Sequence, residues 1–124
     1  MIMRSELVIG IDSSTTATKA IAWDVNGNNI AGGSSPILLS SPQPNYYEQN
    51  PDNWWSSMVK ALQKLTHQID KENITALAIS NQRETFVALD REGKAVRPAI
   101  IWLDERCKAN VDQFASIVGE DRIH

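Results

Sequence analysis

Residues 7–16, LVIGIDSSTT, join a short apolar run to an acid and four hydroxyl side chains. Leu7–Ile11 is nearly all apolar, which is typical of a buried strand. Asp12 ends the run, and the small hydroxyl residues after it favour a tight turn into a second strand. We therefore predict that a buried strand delivers the Asp12 carboxylate to one end of a sheet.

The stretch that follows predicts a β-meander. Lys19–Asp24 alternates in polarity and is β-prone, and the Asn-Gly pair at 26–27 signals a type I′ hairpin. Asn28–Leu39 is predicted as the third strand, with a bulge or bend at its paired glycines, 32 and 33. Residues 40–50 contain two prolines and are predicted to form a loop.

A helix is predicted to begin at Asn50 and to end near Lys71. Asn50 is a candidate N-cap, proline occupies position 51, and Asp52 lies near the positive end of the helix dipole. Apolar residues then recur at spacings of four and three, which predicts one amphipathic face. That face consists of Trp54, Met58, Leu62, Leu65 and Ile69, and is widened by Trp55, Val59 and Ala61.

The rest of the chain predicts further strands and one more helix. Ile74–Ser80 is predicted as a buried strand parallel to the first, because a helix connects the two. Thr85–Leu89 and Ala99–Leu103 are predicted as a strand pair around a turn at 90–93, followed by a helix that ends at Gly119. This order indicates the α/β class, a mixed sheet with its first three strands antiparallel and helices on its faces.

Composition indicates one globular domain and excludes several classes of protein. The 124 residues are 42% hydrophobic and 22% charged, with a formal net charge of -3. Scattered Lys and Arg indicate no nucleic-acid face and no polybasic membrane patch. The single cysteine, Cys107, excludes an intrachain disulfide. Because the sequence shows no signal-peptide pattern and no membrane span, we expect a cytoplasmic protein.

The turn after the first strand contains the groups that phosphoryl transfer uses. Asp12 could hold Mg²⁺ directly or through water, and backbone N–H groups with the hydroxyls of Ser14, Thr15 and Thr16 could cradle phosphate oxygens. Lys19 would supply a cation for developing charge. The alternative is a hairpin whose Asp and Ser merely occupy turn positions, and spacing alone favours this alternative.

A second polar cluster follows the predicted strand Ile74–Ser80. Polar residues between two apolar runs cannot lie in a sheet core without partners, and open sheets place ligands beyond the carboxyl ends of their strands. Gln82, Arg83 and Glu84 offer donors and acceptors side by side, which suits a polyhydroxy substrate. A solvated loop with a local ion pair is an equal alternative.

A third candidate group follows the apolar run 99–103. Trp102 could form an apolar wall for the carbon face of a sugar. Asp104 could bind a substrate hydroxyl or cap the last helix, and the capping role is the favoured one.

Together these segments resemble the N-terminal domain of the FGGY carbohydrate kinases, on the actin-like ATPase or ribonuclease H-like fold. The likeness lies in residues 10–19, 48–55, 81–85 and 97–106, in the family's order. It implies that Asp12 lies by Mg²⁺ and the transferred phosphate, that residues 14–16 with Lys19 form the first phosphate loop, and that Arg83, Glu84 and Trp102 contact substrate. The family usually has glycine where this chain has Ser14.

The resemblance also implies cofactors and partners. Residues 1–124 would be the substrate- and phosphate-binding domain of a two-domain kinase that uses ATP and Mg²⁺. The nucleotide-binding domain and the catalytic base would lie beyond the chain end, so the fragment alone is expected to be inactive. Residues 81–85 are similar to glycerol kinases and residues 97–104 to pentulose kinases, so the substrate would be xylulose, ribulose or glycerol. A homodimer or higher oligomer is compatible with the sequence.

Three other classes remain as alternatives. An actin/Hsp70-like ATPase shares the fold but has no need of the polar segment at Gln82 or of Trp102. A ribonuclease H-type nuclease would use carboxylates at Asp12, Glu48 and Asp104, and the acidic balance disfavours it. The last class is a non-catalytic sugar-binding module.

Overall fold

A four-stranded mixed sheet forms the centre of the computed structural model, which describes residues 6–119. In chain order the elements are β1 (Leu7–Ser13), β2 (Ala17–Asp24), β3 (Asn29–Pro36), β4 (Glu48–Gln49), α1 (Pro51–Thr66), a 3-10 turn (Lys71–Asn73), β5 (Ile74–Asn81), β6 (Ala99–Ile100) and α2 (Lys108–Val118). The sheet order is β3-β2-β1-β5, with the first three strands antiparallel and β5 parallel to β1. The predicted mixed sheet is therefore confirmed.

The turn between β2 and β3 is not the predicted type I′ turn. Type I′ requires positive φ at both central residues, whereas only Gly27, with φ of 81°, has one here. Asp24 closes the turn instead, because its Oδ1 accepts hydrogen bonds from the backbone N–H groups of Asn26 (2.9 Å) and Asn28 (2.8 Å). The hydrogen bond from the Asn28 side chain has the largest effect, followed by the one from the Asn28 backbone N–H, and together they hold the pKa of the Asp24 carboxyl below its usual range.

Helix α1 begins as predicted and ends earlier than predicted. The Asn50 side chain accepts a hydrogen bond from the backbone N–H of Asp52 (3.0 Å), which confirms the N-cap. The helix ends at Thr66 rather than near Lys71, because Asp70 caps a separate 3-10 turn through the N–H of Glu72.

Small side chains let α1 lie close to β3. A Cβ atom on Gly33 would lie 2.0 Å from the Ala61 carbonyl oxygen, so no side chain fits there. Nearby, the Ser57 hydroxyl donates to the Ser35 carbonyl oxygen (2.8 Å). The predicted bulge at the paired glycines is wrong, because their pairing with β2 is regular and serves this close approach. Trp55, which was predicted on the buried face, is 68% exposed.

The core lies between α1 and the meander. It consists of Ile9, Ile11, Ala20, Ala22, Ala31, Ala61 and Leu65. Since α1 covers β2 and β3, the edge strand β5 is left uncovered. Leu77 and Ile79 are consequently 49% and 56% exposed, and the prediction that this strand is buried is wrong for the described residues.

The predicted strand pair at 85–89 and 99–103 forms only in part. β6 pairs instead with β4, inside the segment that was predicted to be a loop. Thr85–Leu89 contributes isolated bridges from Phe86 to Ile100 and from Leu89 to Ala95. The predicted turn at 90–93 is present, with the Gly93 N–H bonded to the Asp90 carbonyl oxygen (3.1 Å). Pro98 lies between the bridged positions Ala95 and Ile100, and it has no N–H to donate to a continuous ladder.

The last helix begins later than predicted. Cys107 occupies the N-cap position of α2 without a side-chain hydrogen bond, so the predicted Asp104 cap is wrong. Gly119 ends the helix as predicted, with φ of 88° and its N–H bonded to the Ala115 carbonyl oxygen (2.9 Å). Within residues 6–119, no helix has the length and apolar character needed to cross a bilayer.

The close approach of α1 to β3 gives a direct stability test. We expect Gly33→Ala to lower the free energy of unfolding by about 1–3 kcal/mol, because the new Cβ overlaps backbone that cannot swing away. Gly32→Ala is the matched control, since its Cβ would meet nothing nearer than 3.7 Å and should change stability by less than about 1 kcal/mol. Urea unfolding measures both, and equal effects would contradict this packing.

Candidate functional site

The parallel pairing of β1 and β5 brings two polar segments to one edge of the sheet. Asp12 lies opposite Ser80 and Ser13 opposite Asn81, so the carboxyl ends of both strands are adjacent. A cavity of about 400 Å³ opens at this edge. Its lining comes from three places: Asp12, Ser14 and Thr15 after β1, residues 81–84 after β5, and Trp102 after β6. A volume of this size is typical of small-ligand sites.

The turn after β1 is closed by Ser14. Its backbone N–H (3.1 Å) and its hydroxyl (3.0 Å) both donate to the Ala17 carbonyl oxygen. Ser14 is not among the non-glycine residues with positive φ. Serine therefore fits this turn without the conformational freedom of glycine.

The other predicted phosphate-binding residues differ in whether they line this cavity. Thr15 lines it, whereas Thr16 does not and accepts a hydrogen bond from the Ile37 N–H (2.8 Å) on its carbonyl oxygen. Lys19 is the cross-strand neighbour of Asp12 on β2 and lines an adjoining cavity of about 490 Å³ that Asp12 shares. Asp12 thus lies where the two cavities meet.

The segment after β5 presents two exposed charged side chains to the cavity. Arg83 and Glu84 both line it, and no ion pair joins them among residues 6–119. The alternative interpretation, a local ion pair between Arg83 and Glu84, is therefore not found among the described residues. Glu84 has φ of 59°, a left-handed conformation that costs on the order of 1 kcal/mol or more in a non-glycine residue. Such strain is found most often at ligand sites.

Trp102 is held in place at two points. Its backbone N–H donates to the Thr85 hydroxyl (3.2 Å), and its indole Nε1–H donates to the Thr15 hydroxyl (2.9 Å). The side chain remains 52% exposed at the cavity. The ring is therefore an oriented apolar wall with its polar atom already bonded.

A buried amide lies behind the cavity, in the segment 48–55 that contributes to the family resemblance but was assigned no role there. Gln49 on β4 is 1% exposed, and its Nε2 donates to the Thr15 carbonyl oxygen (2.6 Å). Its Oε1 accepts hydrogen bonds from the Trp54 indole (2.9 Å) and from Gln82 Nε2 (2.8 Å). A two-residue strand carries no periodicity, so the signals available for Gln49 were its place in the segment 48–55 of the family resemblance and its position beside the Asn-Pro helix start.

Asp104 is engaged within the protein. Its oxygens accept hydrogen bonds from Arg106 Nε and Nη2 (both 2.7 Å) and from the Tyr47 N–H (2.7 Å). Arg106 also bonds Glu48 (2.8 Å) and lies over the Tyr46 ring. Asp104 is outside the cavity lining, so its contact with substrate stays a prediction.

This ion cluster changes the acidity of its members. The side-chain hydrogen bond from Arg106, ahead of the Tyr47 N–H, lowers the pKa of Asp104 to about 2 against the opposing effect of burial. The hydrogen bond to Asp104 raises the pKa of Arg106 in turn. Bidentate pairs of this kind are among the stronger hydrogen bonds in proteins. The cluster joins β4 to the segment after β6.

The carboxylates do not form a nuclease-type metal cluster. Glu48 and Asp104 share Arg106, and they are not in the cavity lining with Asp12. Among residues 6–119, no three His, Cys, Asp or Glu side chains are grouped to hold a metal. A lone carboxylate still fits Mg²⁺, which keeps several waters and binds through one or two carboxylates together with substrate phosphates. Asp12 is the residue that would hold it.

The ion cluster predicts a pH-dependent contribution to stability. Asp104 has a pKa of about 2 folded and about 3.9 unfolded, so its stabilisation is complete above about pH 4 and is lost as the pH falls toward 2. We expect the difference in unfolding free energy between the wild type and Asp104→Asn to shrink across that window. Urea unfolding from pH 6 to pH 3 measures it, with exposed Asp112→Asn as the control. A constant difference would contradict the lowered pKa.

Comparison with known proteins agrees with the fold. Residues 7–124 match the family model described as "FGGY family of carbohydrate kinases, N-terminal domain". The chain is 31% identical over 117 residues to a xylulose kinase of Escherichia coli (strain K12), covering 94% of this chain and 24% of that protein. It is 38% identical over 107 residues to glycerol kinase 2 of Sulfolobus acidocaldarius, covering 84% and 22%.

A solved structure shows the same architecture. The crystal structure of xylulose kinase from Rhodospirillum rubrum superposes with a TM-score of 0.84 at 30% identity, covering 94% of this chain and 24% of that one. The predicted actin-like ATPase fold class is confirmed. The chain spans about a quarter of the length of the curated relatives it matches. The chain belongs to the FGGY family of carbohydrate kinases, whose N-terminal domain it carries.

Proposed function

We propose that the whole protein carrying this chain catalyses ATP-dependent phosphorylation of a hydroxyl group on a small sugar or polyol. The observation that supports it best is the shared cavity. One end of it has a carboxylate and a hydroxyl-rich turn, and the other has Arg83, Glu84 and Trp102. An acceptor bound at the second end would lie beside the position where phosphate and metal are expected at the first.

The phosphate end is assigned to Asp12 and its turn. Asp12 would hold Mg²⁺, directly or through water, and the metal ion would supply positive charge against the charge that develops on the transferred phosphoryl group. Thr15 lines the cavity and would offer its backbone N–H there, whereas the backbone N–H and the hydroxyl of Ser14 both donate to the Ala17 carbonyl oxygen. Lys19, across the strand pair from Asp12, supplies positive charge on the same face. Thr16 would reach phosphate only by a change in the turn.

The acceptor end is assigned to Arg83, Glu84 and Trp102. Guanidinium donors and carboxylate acceptors together match hydroxyl groups, which both donate and accept. The fixed indole ring offers a flat apolar face to the carbon skeleton. A ketopentose such as xylulose or ribulose, or glycerol, has the size and hydroxyl pattern for this arrangement. The relatives include both xylulose and glycerol kinases.

The remaining parts of the reaction are assigned to the rest of the protein. Phosphoryl transfer also needs a nucleotide site and a base near the acceptor hydroxyl. Of the nearby carboxylates, Asp12 is assigned to the metal and Glu84 to the acceptor hydroxyls, and Glu48 and Asp104 are both bound to Arg106. We therefore place the base and the nucleotide site in a second domain, and propose that residues 1–124 alone are inactive.

Loss of the Asp12 carboxylate should abolish turnover and spare acceptor binding. We expect Asp12→Asn in the whole protein to lower kcat by about a hundredfold or more with the acceptor KM nearly unchanged, because metal-assisted charge stabilisation acts mainly in the transition state. A coupled assay with ATP, Mg²⁺ and a panel of glycerol, xylulose and ribulose measures it, with Asp52→Asn as control. Wild-type turnover in Asp12→Asn, or no turnover by wild type on any acceptor, would contradict the proposal.

Loss of the Arg83 guanidinium should weaken use of the acceptor. A hydrogen bond to a charged group is worth about 1.5–3 kcal/mol, so we expect Arg83→Ala to lower kcat/KM for the acceptor about tenfold to a hundredfold. Arg91→Ala, in the exposed turn at 90–93, is the matched control. The same kcat/KM in both variants would remove Arg83 from the acceptor site.

A further inference from the structure

Three segments that line the cavity are joined by one buried side chain. Gln49 bonds the turn after β1 through the Thr15 carbonyl oxygen and the segment after β5 through Gln82. Its own strand, β4, pairs with β6, which leads into Trp102. We propose that Gln49 is a positioning residue for the phosphoryl transfer proposed above, on which this inference rests, and that it fixes the phosphate end of the cavity relative to the acceptor end.

The direction of each hydrogen bond in this network is fixed by Trp54 and by the Thr15 carbonyl oxygen. An indole Nε1–H can only donate, so the Gln49 atom that it meets must be Oε1. Gln49 Nε2 is then directed to the Thr15 carbonyl oxygen, which can only accept. Gln82 must in turn offer its nitrogen to Gln49 Oε1, because two amide oxygens would repel each other. The Thr15 carbonyl oxygen requires the same orientation of the Gln49 amide by itself, so the polarity of the network is set twice and persists without the Trp54 bond.

The orientation in which Gln82 donates to Gln49 leaves the other polar atom of its amide without a partner among residues 6–119. This atom, Gln82 Oε1, is buried and has no hydrogen-bond partner among the described residues. Buried polar atoms without partners are unfavourable. The Gln82 amide nitrogen nevertheless donates to Gln49. The hydrogen bond to Gln49, and not the pairing of every polar atom of Gln82, therefore determines where the start of the acceptor segment lies.

Thr15 is the point at which the network reaches the phosphate end. Its carbonyl oxygen is held by Gln49, and its hydroxyl accepts from the Trp102 indole. If the Thr15 carbonyl oxygen lost its hydrogen bond from Gln49, the turn after β1 and the Trp102 ring would both lose a constraint. Phosphoryl transfer requires the attacking hydroxyl and the phosphate in a narrow geometry, and a displacement of about 1 Å can cost roughly a hundredfold in rate. A residue that touches neither reactant can therefore control turnover.

Gln49→Glu tests this role selectively. The substitution keeps an oxygen for Trp54 and Gln82 and replaces the nitrogen donor to Thr15 by a second carboxylate oxygen, which repels the Thr15 carbonyl oxygen when the carboxyl group is ionised. Trp54→Phe is the matched control, since it removes a different bond to the same amide and leaves Thr15 and Gln82 connected.

Tryptophan indole N–H signals report the coupling without any need for activity. The chain has four tryptophans, at 23, 54, 55 and 102, and Trp54→Phe assigns one of them by its loss. In ¹⁵N-labelled chain we expect Gln49→Glu to shift the Trp102 indole signal beyond any change at Trp23 and Trp55, and Trp54→Phe to leave it in place. An unmoved Trp102 signal in Gln49→Glu would overturn the proposal.

A second variant keeps the test decisive if Gln49→Glu does not fold. Gln82→Met removes one of the two donors to Gln49 Oε1 at the less buried end of the network. We expect it to shift the Trp54 indole signal, because Trp54 shares that oxygen. An unchanged Trp54 signal would show that the network is not coupled.

Kinetics of the whole protein separate positioning from binding. We expect Gln49→Glu to lower kcat about tenfold or more with acceptor KM changed less than about threefold, while Trp54→Phe retains wild-type kcat. Unchanged kcat, or a raised KM alone, in Gln49→Glu would overturn the positioning role. If wild type is inactive on every acceptor, the proposed function fails, and the indole signals still decide whether Gln49 couples the two ends.

Discussion

The site depends on the parallel pairing of β1 with β5. If the two strands were antiparallel, the carboxyl end of β1 would lie beside the amino end of β5. Asp12 would then lie far from Arg83 and Glu84. Parallel pairing places Asp12 opposite Ser80 and Ser13 opposite Asn81, so both polar segments leave the sheet side by side. Parallel strands need a long crossover, and α1 provides it while burying the apolar face of the meander. One helix therefore closes the core and aligns the site.

The residues behind the cavity are hydrogen-bonded and buried, whereas residues at its opening are strained or exposed. Behind the cavity, both polar atoms of the buried Gln49 side chain are hydrogen-bonded, and elsewhere in the domain α1 lies against Gly33 at backbone distance. At the opening, Glu84 adopts a left-handed backbone and Trp102 is half exposed. The Asp104–Arg106–Glu48 cluster ties β4 to the segment that carries Trp102. Charged groups at the site thus divide into those that are paired to hold the frame and those that are left unpaired for a ligand.

The sequence predicted features that depend on local pattern and failed where distant partners decide. The strand at 7–11, the Asn50 cap and the parallel placement of Ile74–Ser80 followed from apolar runs and helix-start chemistry. The pairing of β4 with β6 and the hydrogen bonds from Tyr47 to Asp104, from Gln49 to Thr15 and from Gln82 to Gln49 each span more than 30 positions, and no local pattern predicts them. The cavity residues were predicted from where strands end, whereas the segment that contains Gln49 was recognised only as part of the resemblance and its contacts were not predicted.

The central claim is that polyol and phosphate meet at the carboxyl ends of β1 and β5. A ¹⁵N NMR titration of the chain with glycerol or xylulose, followed by inorganic phosphate, tests it most directly. We expect the sugar to perturb Arg83, Glu84 and the Trp102 indole, and phosphate to perturb Ser14 and Thr15, with residues at the opposite sheet edge such as Asn73 unaffected. Perturbations that fall at that opposite edge, or sugar and phosphate signals on separate surfaces, would contradict the account.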